Sequence, residues 1–346
     1  MSREYPLENL KSSWKEKTGL INAEGERLSV EEWMLEQRGL ARNSFEKTRQ
    51  IAQETLSKGK KVLVVDLTGN RGIRFNEKLK SLDPEQVKLF DEIETGSSDT
   101  EPGDFTSAGI ARFLGLVKGE YDVLKIYEDQ VTEFPNKETL KAKYDLVVFS
   151  GSAMNMLEET NPEHLYITQR ITNLHRVVNE LAIPELGICF GAQFLNSMFG
   201  EGIEGGIDWV TPEDHSVPEE GVVRLKLTDA GRSSNMFLNQ DLAILETHFQ
   251  HINPDKQPSE LVVLASSEKS QVQIALSGDN LLLMIQGHPE KTMVVGCISA
   301  QIEGRTLEEL NDFSPSAVFN TREAISAHTW QLVKAKPKEG ARAQSG

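Results

Sequence analysis

The sequence predicts an α/β protein built on a doubly wound, largely parallel sheet. Three observations point there. Apolar strand-like runs alternate with longer helical stretches from residue 61 to residue 188. The run 281–285 is apolar throughout, as a buried strand is. Gly151 and Cys189 each follow such a run, and in open α/β sheets ligands bind beyond the carboxyl ends of the strands.

Taken in order, residues 1–58 precede the first strand and read as a helical extension. Ser29 and Glu32 form a capping box, Val30, Trp33 and Met34 begin an apolar face, and Gly39 interrupts it. A second amphipathic helix carries Phe45, Ile51, Ala52 and Leu56 and stops near Gly59. Both are expected to pack on their own domain, docking onto a partner being the alternative. The first strand is 61–67, with Thr68, Gly69 and Asn70 as its exit turn, and 94–104 is a polar, mobile loop. A helix over 105–117 leads to a strand at 121–126, then come a strand at 146–149, a helix over 163–181 and a short strand before Cys189. The stretch 222–285 reads as shorter strands, beginning with 222–227. Residues 59–335 thus form one α/β domain, and the basic, small-residue stretch 336–346 is expected to be a disordered tail.

The 346 residues are 38% hydrophobic and 26% charged, enough to build a core. Lys and Arg number 37 against 53 Asp and Glu, a net charge of −16, which argues against nucleic acid or an anionic membrane as the main partner. Only two cysteines occur, which excludes a disulfide scaffold and fits a reducing, cytoplasmic compartment. Residues 1–17 are polar, unlike a signal peptide, and no run approaches the ~20 apolar residues of a membrane span.

Chemistry enters at Gly187-Ile188-Cys189-Phe190-Gly191. A nucleophile on a sharp strand-to-helix turn needs small neighbours two residues either side, and both are glycine. The helix N-terminus there favours thiolate over thiol. Downstream, Gln286-Gly287-His288-Pro289-Glu290 follows a strand, and in extended chain residues i and i+2 share a side. Glu290 can then fix the tautomer of His288, leaving its other nitrogen as a base toward a thiol.

These segments together resemble the class I glutamine amidotransferase family, in its free-standing, GMP-synthetase-like branch. The likeness rests on Pro184, Gly187, Ile188, Cys189, Gly191 and Gln193, on 286–290, on the strand and turn 144–152, and on Leu264 to Glu268; Gly205-Gly206 and Glu220-Gly221 match more weakly. It covers about residues 60–335. It implies a Cys189-His288-Glu290 triad, with backbone N–H groups of Gly151 or Ser152 and of Phe190 as the oxyanion hole. Gln193 would bind the amino-acid end of the substrate. His248 matches a loop histidine, with the backbone of Phe249 and Gln250 facing the substrate; Gln250 stands where the GMP-synthetase type often has an acidic residue.

The implied reaction is hydrolysis of the γ-carboxamide of glutamine, or of a related γ-glutamyl compound, without metal or organic cofactor. The chain has no phosphate-binding Gly-rich loop with Lys, so a synthetase that activates an ammonia acceptor would have to be another chain. Two alternatives are a free-standing γ-glutamyl peptide hydrolase and a catalytically idle scaffold. Elsewhere, His248 and His251 lack an adjacent third ligand, which argues against zinc. His164, His175 and His328 read as surface or capping residues, and His215 carries no signal. Met154 and Met156 read as packing, and Cys297 as inert core.

Overall fold

The computed structural model describes residues 30–68, 105–126, 134–152, 154–157, 162–199, 206–215, 218–237, 241–292 and 315–336. In chain order its elements begin with α1 (Val30–Thr55), β1 (Lys61–Asp66), α2 (Phe105–Phe113), β2 (Tyr121–Lys125), α3 (Lys137–Lys143) and β3 (Tyr144–Phe149). Next come α4 (Pro162–Glu180), β4 (Glu185–Ile188), α5 (Phe190–Phe199), β5 (Ile207–Trp209), β6 (Glu219–Arg224), β7 (Lys226–Leu227) and α6 (Asp229–Ser233). The chain continues through β8 (Ala243–His248), β9 (Gln250–Ile252), β10 (Leu261–Ser266), β11 (Ile274–Ser277), β12 (Leu282–Ile285) and α7 (Pro315–Ala335).

Strands with apolar side chains on both faces must be covered on both faces. In β1, Val62 and Val64 enter one core with Ala52 of α1, Ile110 and Phe113 of α2, and Ile325 and Trp330 of α7. Leu63 and Val65, pointing the other way, enter a second core with Ile167 and Ile171 of α4 and Phe194 of α5. Each such buried side chain contributes about 1.5–3 kcal/mol, so this strand alone anchors both layers.

The central sheet has the order β2-β1-β3-β4-β12-β11-β10-β7. Its first five strands are parallel, and β11, β10 and β7 continue it antiparallel. It is therefore α/β and largely parallel. The strand order reverses on either side of β1, so the switch point lies between β1 and β3. Phe149 of β3 and Met284 of β12 both pair with Gly187 of β4, so three neighbouring strands release the chain at one height. Two small antiparallel sheets, β5 with β9 and β6 with β8, accompany the main one.

Two expected elements differ. The extension carries one continuous helix across Gly39 rather than two. Trp33, Gln37, Ala41, Ser44, Thr48 and Ala52 form an uninterrupted buried stripe at helical spacing. One exposed glycine costs about 1 kcal/mol, too little to break a helix packed along its length. Half of that stripe is polar, which hid its continuity. The helix lies against α7 and α2, with Arg49 forked onto Glu120 and Lys47 paired with Glu323 at 2.9 Å. The expected strand 222–227 is likewise two, β6 and β7, in different sheets. The break is Leu225, whose side chain is buried and whose N–H donates to Leu242 O.

Ser29, Gly69, Asn70, the stretch 94–104, Gly205, Cys297 and residues 337–346 lie outside the described residues. Among the described residues no helix is long and apolar enough to cross a membrane.

Candidate active site

Strand β4 ends at Ile188, helix α5 begins at Phe190, and Cys189 alone makes the corner, at φ 51°. That left-handed backbone is strained for a residue with a side chain. It is held from both ends: Cys189 N–H donates to Ile285 O at 2.7 Å, and Cys189 O accepts from Gln193 N–H at 3.0 Å. A β carbon at Gly191 would fall inside the shell of the Phe149 carbonyl, 2.8 Å from its carbon, and one at Gly187 would meet Ala192 N at 2.8 Å. Both flanking glycines are thus required by backbone contact.

His288 follows β12, and its N–H donates to Leu245 O at 2.8 Å. Its Nδ1 lies 2.7 Å from Glu290 Oε1. The pairing is made by a turn closed by Lys291 N–H on His288 O at 3.2 Å, not by an extended chain as the spacing alone suggests. Gly151, two residues past β3, completes the meeting point. A β carbon there would lie 2.9 Å from His288 Cε1 and 3.4 Å from the Cys189 β carbon. Cys189, His288 and Gly151 thus converge from three strands.

Burial dominates the electrostatics. It pushes the Cys189 thiol up to about 12, with Glu246 and Glu290 adding to the rise, against Lys291 and the Phe190 N–H. This corrects the expected thiolate: one helix end does not offset loss of water around a buried sulfur. Burial and then Lys291 lower His288 despite the pull of Glu290. Burial alone would raise Glu290, but His288 and Lys291 hold it below the usual carboxylate range. The resting set is a thiol, a neutral imidazole and a carboxylate. With Nδ1–H given to Glu290, Nε2 of His288 is the basic nitrogen.

Of the expected oxyanion donors, Phe190 N–H acts on the Cys189 sulfur and works against the rise of its thiol. The peptide between Gly151 and Ser152 is oriented by Ser150, whose hydroxyl donates to Gly151 O at 2.9 Å and accepts from Leu67 N–H at 2.9 Å. In a trans peptide that turns Ser152 N–H away from Ser150. Ser152 Oγ itself accepts from Met154 N–H. The Gln193 amide donates to Gln250 O at 2.6 Å and lies 3.3 Å from Gln286 Oε1, and Gln250 Oε1 accepts from Met156 N–H at 2.7 Å. Phe249 O accepts from Val210 N–H. Gln193 and Gln250 are therefore hydrogen-bonded to each other, and the Phe249 and Gln250 carbonyls are already engaged.

His248 ends strand β8, and its buried imidazole lies 2.9 Å from Glu246 and 3.3 Å from Glu219. Burial alone would lower its pKa, but the two carboxylates raise it to about 9. A raised folded-state value stabilises the fold below the ordinary 6.5, and that stability is lost as pH rises through about 9. The melting temperature should therefore fall across this window, and His248→Gln should flatten the fall. A wild-type melting curve independent of pH there would contradict the charged assignment.

Other histidines differ from expectation. His175 is buried and pairs with Glu185 at 2.9 Å, and His328 is buried in α7; neither is a surface residue. Helix α4 places the side chain of His175 inward, against Phe194. The side chain of His164 lies outside the described residues. His215 is exposed and stacks on Trp209, with ring centroids 4.2 Å apart. Met156 is buried in the second core with Met154 packed against it. Sequence reasoning missed Ser150, Glu219, Glu246 and Lys291. Ser150 had a local signal, the hydroxyl before the glycine turn, and Glu246 had one in its i, i+2 spacing to His248 on β8; Glu219 reaches the cluster from β6 and had none.

Fold and site together define an α/β protein with a cysteine at a strand-to-helix corner beside a His–Glu pair. Residues 107–296 match the family described as Glutamine amidotransferase class-I, more than half of the chain, and the chain belongs to that family. It is 31% identical over 153 residues to a subunit of GMP synthase (glutamine-hydrolyzing) from Saccharolobus solfataricus, covering 44% of this chain and 70% of that protein. The like-named protein from Sulfurisphaera tokodaii is 28% identical over 148 residues, covering 42% and 68%. The crystal structure of a glutamine amido transferase from Methylobacillus flagellatus superposes at TM-score 0.50 with 16% identity, over 83% of this chain and 99% of that one, a likeness of fold.

Proposed function

We propose that the protein hydrolyses the γ-carboxamide of glutamine through Cys189, His288 and Glu290. His288 Nε2 takes the thiol proton as the sulfur attacks the amide carbon. The C–N bond then breaks, and the same proton leaves with ammonia. Water, activated by His288, cleaves the thioester to glutamate. The developing oxyanion is held by Phe190 N–H and by that of Gly151 or Ser152, each donor worth roughly 10²–10³-fold in rate. Gln193 and the backbone of Phe249 and Gln250 receive the substrate's amino-acid end, with His248 as the histidine of the adjoining loop.

The observation that carries this reading is the convergence of the Cys189 corner, the Gly151 turn and a His288 imidazole bound to Glu290 at 2.7 Å. Residues 59–335 form the amidotransferase unit in this reading, with 1–58 as an extension. The relatives are named as one subunit of their enzyme, which supports delivery of ammonia to an acceptor-activating synthetase on another chain.

Glutamine-dependent ammonia release tests it. His288→Ala should lose about 10²–10⁴-fold in kcat, the general acid–base contribution. Glu290→Gln, which keeps the shape but not the charge that stabilises the imidazolium, should lose clearly less. Equal activity of Glu290→Gln and wild type would mean that another group orients His288. Faster cleavage of γ-glutamyl dipeptides than of glutamine would replace the ammonia-supplying role with a peptide hydrolase.

A further inference from the structure

A second buried set of ionisable groups lies one residue from His288. The His248 imidazole faces two carboxylates, Glu246 and Glu219, through the single atom Nε2. Glu219 is well served by neutral donors besides: Ser267 Oγ reaches Oε1 at 2.6 Å, and Ser270 Oγ and Gln273 Nε2 reach Oε2 at 2.6 and 3.1 Å. One imidazolium cannot neutralise two carboxylates, so a buried negative charge, or a proton in its place, remains. Glu246 is where it falls.

The side chain of Glu246 is pressed against Gly287. A β carbon at 287 would lie 3.0 Å from Glu246 Cδ and closer still to Oε1, and that oxygen has no hydrogen-bond partner among the described residues. The preceding residue, Leu245, holds His288 N–H. Glu246 is thus stitched to the base by backbone on one side and by a glycine contact on the other.

We propose that Glu246 is a positioning residue whose protonation sets the reactivity of the Cys189–His288 pair. This rests on the catalytic reading above. Charged, Glu246 opposes a second negative charge on the Cys189 sulfur; protonated, it relieves that opposition and frees the thiolate. After burial itself, Glu246 is among the charges that raise the Cys189 thiol. Burial also lifts Glu246 to about 7, against the pull of His248 and with Glu219 adding to the rise, so the change of state falls near neutrality. The other ionisable groups on the elements packed against β8 are Glu220 and Arg224 of β6, and Arg322, Glu323, His328 and Lys334 of α7. Helix α7 meets β8 at Ala243, three residues upstream, through Thr321. On the catalytic side, Glu290 and Lys291 act on both Cys189 and His288, and the charge of His248 also lowers His288.

The test is the pH profile of Cys189 alkylation by iodoacetamide on the full chain, mapped by peptide mass, for wild type and Glu246→Gln. Above about pH 8 the variant should react about 3- to 10-fold faster, and the two profiles should converge below about pH 6, where wild-type Glu246 is protonated. Profiles that superimpose throughout would overturn the proposal. Should Glu246→Gln fail to fold, carboxyl carbon-13 NMR of wild type decides: a glutamate titrating near neutrality in step with a break in the alkylation rate supports it, and none overturns it. Zinc retained at one per chain and lost in Glu219→Gln would also overturn it, by making the cluster a metal site. The readout does not need glutaminase activity. Ammonia release surviving in Cys189→Ala would defeat the catalytic reading while leaving this comparison interpretable.

Discussion

Cys189→Ala should abolish ammonia release from glutamine, by about 10⁴–10⁶-fold, while the protein stays folded. The size follows from the role: without the sulfur no thioester forms, and what survives is the substrate-binding residues and the oxyanion donors acting on water. The fold should survive because alanine meets the same backbone strain at φ 51° as cysteine and removes one buried atom. That deletion costs on the order of 1 kcal/mol. A coupled ammonia assay and a thermal melt on the same sample check both halves. Retention of most of the wild-type rate would place the nucleophile elsewhere. A glutamine-mimicking electrophile should correspondingly label Cys189 and leave Cys297 unmodified.

The largest effect on stability is expected at Gly191→Ala. Its β carbon would be driven into the Phe149 carbonyl, and neither partner can yield. Phe149 is the last residue of β3, paired to both β1 and β4, while Gly191 sits in the first turn of α5. Relief would require the helix to lift from the sheet, uncovering Phe190 and Phe194, both buried. A loss of about 3–5 kcal/mol follows, enough to unfold many domains. Urea denaturation monitored by circular dichroism measures it, and a loss below about 1 kcal/mol would mean that the corner is looser than its contacts imply.

The parts of this protein legible in its sequence are those where one short segment carries the whole constraint. Gly187-x-Cys189-x-Gly191 needs small residues at two positions for reasons internal to the turn, so the corner can be read from its spacing. The order of strands and helices is legible from apolar runs for the same reason. What escapes depends on partners far away in the chain. Gln37, Ser44 and Thr48 look solvent-facing, yet they continue a buried stripe because the helix lies against α7 and α2. His175 looks like one more polar residue of α4 until Glu185 is placed opposite it. The protonation state of Cys189 is misleading in sequence because the helix end is visible there, whereas the depth of burial is set by the whole assembly.

The clasp between α1 and α7 has a consequence for how the protein is made. Lys47 and Glu323 are 276 residues apart, so the first described helix is synthesised long before the helix it packs against. At ~5–20 residues per second, that interval is roughly 15–60 s. Throughout it the stripe headed by Trp33 has no α7 to rest on, although the strands it will help to cover are already leaving the ribosome. The nascent chain must keep that face from wrong attachments, by chaperone or by provisional packing, until its last described helix emerges. Changing the speed of translation across those 276 residues is therefore expected to change its folded yield.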